Sequence, residues 1–388
     1  MRVLVKTLAC AFASIPVFGQ PTVEDPVVAH FRDYRAAVDR KDFAAAEAAA
    51  TAALEASEAV NGSRTAILAL NLALLRLSLA EPARALEPAR RAHELAANGR
   101  DTGVDALLAS LTLGRAELAA DLPSGAERLT RAIADAETRK EFLAEAYAAA
   151  VALGEWGVAQ GQYASGRDAW VAAQRLVPAG TRDTDLARGR ARLNEGAAIF
   201  LGGVNRPRNA SSRNSAKVTA SEAAHEADAA FSEAQRLLRR YAFPAETTET
   251  LSAGQKLYAQ AMAWQGALRA KLRSQDEELR ESVEMVGDPP RLAGMPTPCV
   301  YRTDSDLGYP SRALDRLGAG AVVIHTRFDD KGNVVSREIA AGVPLGAFVD
   351  ATRASLKGTR SERVPGSPQD CDPSGSRYSV VLFVIDGV

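Results

Sequence analysis

One pattern limits what this chain can fold into more than any other. From about Asp25 to Val286, apolar residues recur with a helical period, and the pattern itself repeats. Four helix starts line up: Phe43 to Ala46 (FAAA), Pro82 to Ala85 (PARA), Pro123 to Ala126 (PSGA) and Tyr163 to Gly166 (YASG). The small residues that end them are 39, 41 and 40 positions apart. Small residues follow at +4 and +7 in the first two, as Ala50 with Ala53 and Ala89 with Ala92. Alanine is the best helix former, and its short side chain lets helix axes approach closely. Self-similarity at such a period predicts an array in which each helical hairpin buries its apolar face on the next.

Leu113-Gly114 and Leu153-Gly154 lie just upstream of the third and fourth starts, and Pro178 lies after the fourth. This layout resembles the tetratricopeptide repeat, a pair of antiparallel helices with Leu-Gly in the first, aromatic-x-x-Ala opening the second and Pro closing it. The period exceeds the family's usual length of about 34 residues. The plainer alternative is an irregular α-helical array with the same small-residue crossings.

The array is interrupted at 202–217 (GGVNRPRNASSRNSAK), which carries Arg206, Arg208, Arg213 and Lys217 and no acid. Its Gly, Asn, Ser and Pro content predicts an exposed loop, solvated rather than bound to an anionic partner. Helices are expected again at 218–241 and 247–273. Gly287, Pro289, Pro290, Gly294, Pro296 and Pro298 then mark a linker, 287–298, closing a helical domain of 20–286.

The first nineteen residues read as a secretory signal peptide: Arg2 and Lys6, the apolar run Thr7 to Phe18, then Val17-Phe18-Gly19 before Gln20. The run contains Pro16 and falls short of the roughly 20 residues of a spanning helix, so no stable membrane insertion is expected. Export to the periplasm follows, the alternative being a retained inner-membrane anchor. Cys10 would leave with the signal, and the remaining pair, Cys299 and Cys371, is most simply a disulfide in an exported protein. Forty-seven basic and forty-eight acidic side chains provide no global field for nucleic acid. Two cysteines and four scattered histidines, His30, His93, His225 and His325, do not make a zinc site, and no metal or cofactor is expected.

After Pro298 the texture changes. Tyr309 to Leu317 reads as a short helix stopped by Gly318 and Gly320. Ala321 to Phe328 (AVVIHTRF) alternates, placing Val322, Ile324, Thr326 and Phe328 on one face and His325 with Arg327 on a polar one. Asp329 to Asn333 is turn chemistry, Val334 to Ile339 a return strand, Leu345 to Leu356 a helix, and Tyr378 to Ile385 (YSVVLFVI) a strand. The expected result, for 299–388, is a three-stranded antiparallel sheet with helices on one face.

About 80 residues here, 309–387, resemble the TonB C-terminal domain. The resemblance is carried by Tyr309-Pro310, Ala313, Gly320 to Ile324, Asp330 to Val334 with Gly332, the helix with Phe348 and Ala351, Pro365, and the last strand with Phe383. It implies a small α+β fold in the periplasm that binds the "TonB box" peptide of outer-membrane receptors along its last strand by β-augmentation. The binding edge would be Tyr378, Ser379, Val380, Val381, Leu382 and Phe383. The alternative use of that edge is a homodimer through the same strand. The chain lacks TonB's spanning helix and its long Pro/Lys/Glu-rich spacer, and the cysteine pair is foreign to the family.

Enzyme motifs are absent: no Gly-x-Ser-x-Gly elbow, P-loop, His-Glu-x-x-His or dinucleotide fingerprint occurs. Gly318-Ala-Gly320 lacks a third glycine, and Asp329-Asp330 sits in a turn sequence. His325 is expected at the surface, and Trp156, Trp170 and Trp264 in the core. The expected function is a non-enzymatic periplasmic adaptor for protein or peptide partners, linked to TonB-dependent transport. The alternative is a TonB-type energy transducer that keeps an N-terminal anchor.

Overall fold

A computed structural model describes residues 25–60, 64–98, 103–178, 180–204, 213–242, 251–273, 282–286, 301–303, 319–329, 333–343, 347–356, 361–363 and 375–384. The signal segment 1–19, the linker 287–298, the helix at 309–317, Tyr309, Pro310, Gly332, Cys299 and Cys371 lie outside them. The chain is mostly helical with a small antiparallel sheet toward its C-terminus. It divides into two compact units, Met1–Trp156 and Gly157–Val388.

Helices pair in sequence: α1 (Pro26–Asp39) with α2 (Phe43–Ala59), α3 (Thr65–Ser78) with α4 (Pro82–Ala97), and α5 (Ala106–Ala119) with α6 (Ser124–Arg139). Then come α7 (Leu143–Ala159) and α8 (Tyr163–Leu176). The turns inside all four pairs share one geometry. Lys41, Ala80, Asp121 and Gly161 adopt left-handed φ values of 58°, 59°, 55° and 70°. The next residue's N–H reaches back to a helix carbonyl, as Asp42 to Ala37, Glu81 to Arg76, Leu122 to Glu117 and Gln162 to Gly157. These are Schellman closures, which satisfy the carbonyls left over where a helix stops. Three of the four place a residue with a Cβ in a conformation that favours glycine.

The second helices bury equivalent positions: Ala46, Ala50 and Ala53 in α2, Ala85, Ala89 and Ala92 in α4. In α6 the equivalent positions are Gly125, Leu129 and Ala132, one residue earlier than the spacing predicts, with Ile133 and Ala136 buried as well. The cause is local. Ala46, Ala85 and Gly166 donate to the carbonyl four residues back, but Gly125 donates to Leu122, three back. A tighter 3₁₀ entry shortens that turn by one residue. Gly125 is the crossing point, since a Cβ there would lie 2.7 Å from the Gly114 carbonyl oxygen. In the fourth pair the crossing glycines are Gly157 and Gly166, not Gly154.

The second unit continues with α9 (Arg182–Ile199), a π-helical segment (Phe200–Val204), α10 (Arg213–Ala242) and α11 (Ala253–Arg273). Gly202 to Val204 and Arg213 to Lys217 are therefore helical, and only the middle of the expected polar loop, 205–212, is outside the described residues. Gly202 and Gly203 are kept small by Tyr163 and Ala223, which a Cβ at each would meet at 2.7 and 2.5 Å. Phe200, Phe231 and Trp264 form an aromatic core where this segment meets α10 and α11.

The three antiparallel strands expected in 299–388 are present, and a fourth from upstream joins them, giving the order β1 (Ser282–Val286), β6 (Gly375–Val384), β3 (Ala319–Phe328), β4 (Val334–Val343), all antiparallel. A separate pair joins β2 (Tyr301–Thr303) to β5 (Ser361–Arg363). Both faces of the sheet are covered. Ala321, Val323, Tyr378, Val380, Leu382 and Val384 pack on α11, with Tyr258, Met262 and Ala267 opposite. Val322, Ile324, Val381 and Phe383 pack on α12 (Ala347–Leu356) through Phe348, Val349 and Leu356. The last helix of the expected repeat domain is thus a layer of the C-terminal α/β core, and β1 is a strand of its sheet. A boundary at 287–298 would cut this core in two.

Candidate functional site

The strand expected to bind peptide is central. β1 pairs with β6 across Val380 to Val384, and β3 pairs with β6 along its whole length. Val380, Val381, Leu382 and Phe383 therefore use their backbone groups on both sides, and neither a peptide nor a second copy can add there. The physical reason is burial: a strand apolar on both faces is stable only inside a sheet covered on both faces. Tyr378 and Ser379 lie beyond the reach of β1, but Tyr378 is fully buried. Its hydroxyl donates to the Ala242 carbonyl at 3.1 Å, and its ring stands edge-on to Tyr258 at 5.4 Å. It holds the sheet to the end of α10 and to α11.

Gly320, one of the residues of the TonB resemblance, is a packing glycine. A Cβ would lie 2.7 Å from the Phe348 ring and 2.8 Å from the Val343 carbonyl oxygen. Gly342 clears Val349 in the same way, so the two glycines seat α12 on the sheet. The hairpin turn is closed by Asp329, which accepts from the Asn333 N–H at 2.7 Å and side-chain amide at 2.9 Å. Asp329 is a turn former, as its sequence context predicts.

Among the described residues, the four-stranded sheet ends in β1 on one side and in β4 on the other, and β4 is the longer of the two. It is ten residues long and carries two irregularities, one opposite Val323/Ile324 and one opposite Arg327/Phe328. Val335, at the second, has no register partner on β3 and is 61% exposed. Bulges and charged residues, here Arg337 and Glu338, are the usual means of keeping an edge from indiscriminate pairing.

His325 is not at the surface; it is 2% exposed. It lies between its cross-strand neighbours Tyr378 and Glu338, on the face that α11 covers. Burial pushes its basicity below the ordinary imidazole value, the Glu338 carboxylate pulls it part of the way back, and Arg327 lowers it again. Sequence reading missed it because His alternates in step with Arg327. The available signal was the apolar length of the partner strand, which marks both faces as covered.

In the first unit, polar groups knit helices together. Arg128 donates to Glu117 through Nε at 2.9 Å and lies 3.3 Å from His93 Nε2. Burial and Arg128 together hold His93 below its ordinary value. Glu47 accepts from Arg76 at 2.9 Å and Arg84 at 3.1 Å. Trp170 is core, and Trp264 is half-buried against Phe200 and Phe231. No group of three His, Cys, Asp or Glu side chains among the described residues is placed to hold a metal ion. No described helix is long and apolar enough to cross a membrane. Comparison with protein-family models finds no match for this chain, and comparison with curated proteins finds none either.

Proposed function

We propose that the protein is a non-enzymatic periplasmic adaptor. Its tetratricopeptide-like hairpins bind one protein partner, and its TonB-like C-terminal unit takes an extended peptide by strand addition, in the manner of a TonB box. The observation that carries the peptide site is that β4, with ten residues against five in β1, is the longer of the two strands at the ends of the sheet order. An extended peptide gains main-chain hydrogen bonds by pairing with a strand that has a vacant side, and side-chain pockets add specificity. The site therefore moves from β6 to Val334–Val343. The recurrent Schellman turns and buried small-residue crossings support the repeat reading, and the order β3, β4, α12, β6 supports the TonB-like one.

Titration of isotopically labelled protein with TonB-box peptides should shift amide signals in 334–343. Val335→Pro removes a backbone donor at a position without a β3 partner and should abolish those shifts while far-UV circular dichroism is unchanged. Shifts confined to other elements would refute the site. Export predicts periplasmic protein that begins at or near Gln20, with Cys299 joined to Cys371. Closure of that loop stabilises by roughly 4 kcal/mol on the chain-entropy model. N-terminal sequencing and non-reducing peptide mapping test both.

A further inference from the structure

The α11–sheet interface contains one buried group that is out of character with its surroundings. Neither nitrogen of His325 has a hydrogen-bond partner among the described residues. Its Nδ1 lies 3.4 Å from Glu338 Oε1, a long contact outside hydrogen-bonding geometry, and Glu338 itself is 39% exposed. The imidazole ring centroid is 4.8 Å from that of Tyr378. Tyr378 in turn touches two helices, α10 through the Ala242 carbonyl and α11 through the Tyr258 ring. The groups that face this row are Glu338 from β4, Tyr378 from β6, Arg327 from β3 itself and Tyr258 from α11. A neutral ring fits such a place, leaving one orphaned donor and one orphaned acceptor. A protonated ring has two donors and a charge, with one half-exposed carboxylate in reach.

We propose that His325 is an acid-sensitive latch on α11: neutral, it completes the apolar face on which the helix lies; protonated, it releases the helix and the Tyr378–Ala242 tie from the sheet. Opening admits water to the ring, so the open form takes up a proton at the ordinary value, near pH 6.5. The sign follows from linkage. A ring that is harder to protonate when closed stabilises the closed form above about pH 6.5, and that stabilisation is lost as pH falls toward its closed-state value. If the closed ring stays neutral throughout, the open population rises about eightfold between pH 7 and pH 5.5.

Hydrogen exchange on the full chain at those two pH values, corrected for intrinsic rates, reads this directly. Amides of α11 (253–273) should exchange up to about eightfold faster at pH 5.5, while those of α1 to α5 should not. His325→Phe should remove the acceleration. Acceleration that persists in His325→Phe, or α11 protection that is the same at both pH values in the wild type, would overturn the proposal. Should His325→Phe fail to fold, the imidazole titration of the wild type by NMR decides. His325 is expected to titrate below the ordinary imidazole value, near 6.5, and a midpoint at or above that value sinks the latch.

Discussion

Gly266 is where the two halves of the C-terminal core meet most closely. A Cβ there would lie 2.7 Å from Ala321 Cβ, 2.9 Å from Val380 Cγ1 and 3.0 Å from Leu382 Cδ2. Carbon atoms prefer about 3.5–4.0 Å, so Gly266→Val forces α11 away from the sheet by roughly 1 Å. Overpacking of this kind costs about 1–3 kcal/mol. Replacing glycine inside a helix returns only a few tenths of that, because valine is itself a poor helix former. The net expectation is a loss of about 1–3 kcal/mol, with a smaller loss for Gly266→Ala, which regains about 1 kcal/mol of propensity. Urea unfolding followed by tryptophan fluorescence suits the test, since Trp264 packs between Phe200 and Phe231 two residues away. A helix belonging to an independent array would gain stability from the same substitution. A Gly266→Val midpoint at or above that of the wild type would therefore refute the shared core.

Other substitutions test other parts of the molecule. Ala80→Gly removes the cost of a left-handed alanine, about 1–2 kcal/mol, against a glycine entropy term of about 0.5–1, so urea titration should show a gain of about 0.5–1 kcal/mol. Arg128→Met strands the buried Glu117 carboxylate and should cost about 1–3 kcal/mol in the same assay. Asp105 is pushed up by burial but held below its ordinary value overall by Arg139 and the Leu107 N–H. Its contribution is present above the unfolded value, near pH 4, and lost as the acid is protonated, so the stability gap between wild type and Asp105→Asn should narrow as pH falls below about 4.

Helix periodicity, the turn chemistry of Asp329 and Asn333 and the existence of strands β3 and β6 were all legible in the sequence. The role of α11 was harder to read. It buries Met262 and Ala267 in the cluster with the sheet and Ala261 and Leu268 in the cluster with α10, and an alanine-rich helix shows no sharp contrast between a face that meets helices and a face that meets a sheet. β1 is a five-residue strand beside a proline-rich stretch and resembles the end of the array. The edge assignment of β6 failed for the same reason, because edge or centre depends on a strand about ninety residues earlier that has no local marker. The one-residue shift in α6 depends on a single 3₁₀ hydrogen bond, below the resolution of a repeat pattern.

The strand order has a consequence for how the chain is made. β6 lies between β1 and β3 yet follows both in the chain. As synthesis proceeds, α11 emerges with an apolar flank shaped for a sheet, then β1 appears without a neighbour, and the β3–β4 hairpin forms beside an empty slot. None of these can bury its surface until the last strand arrives to join them. For that interval the nascent chain holds two unsatisfied strand edges and the underside of a helix open to other molecules. A chaperone that holds extended, apolar segments would find its longest-lived target here, and a chain interrupted before Gly375 would keep those surfaces exposed for good.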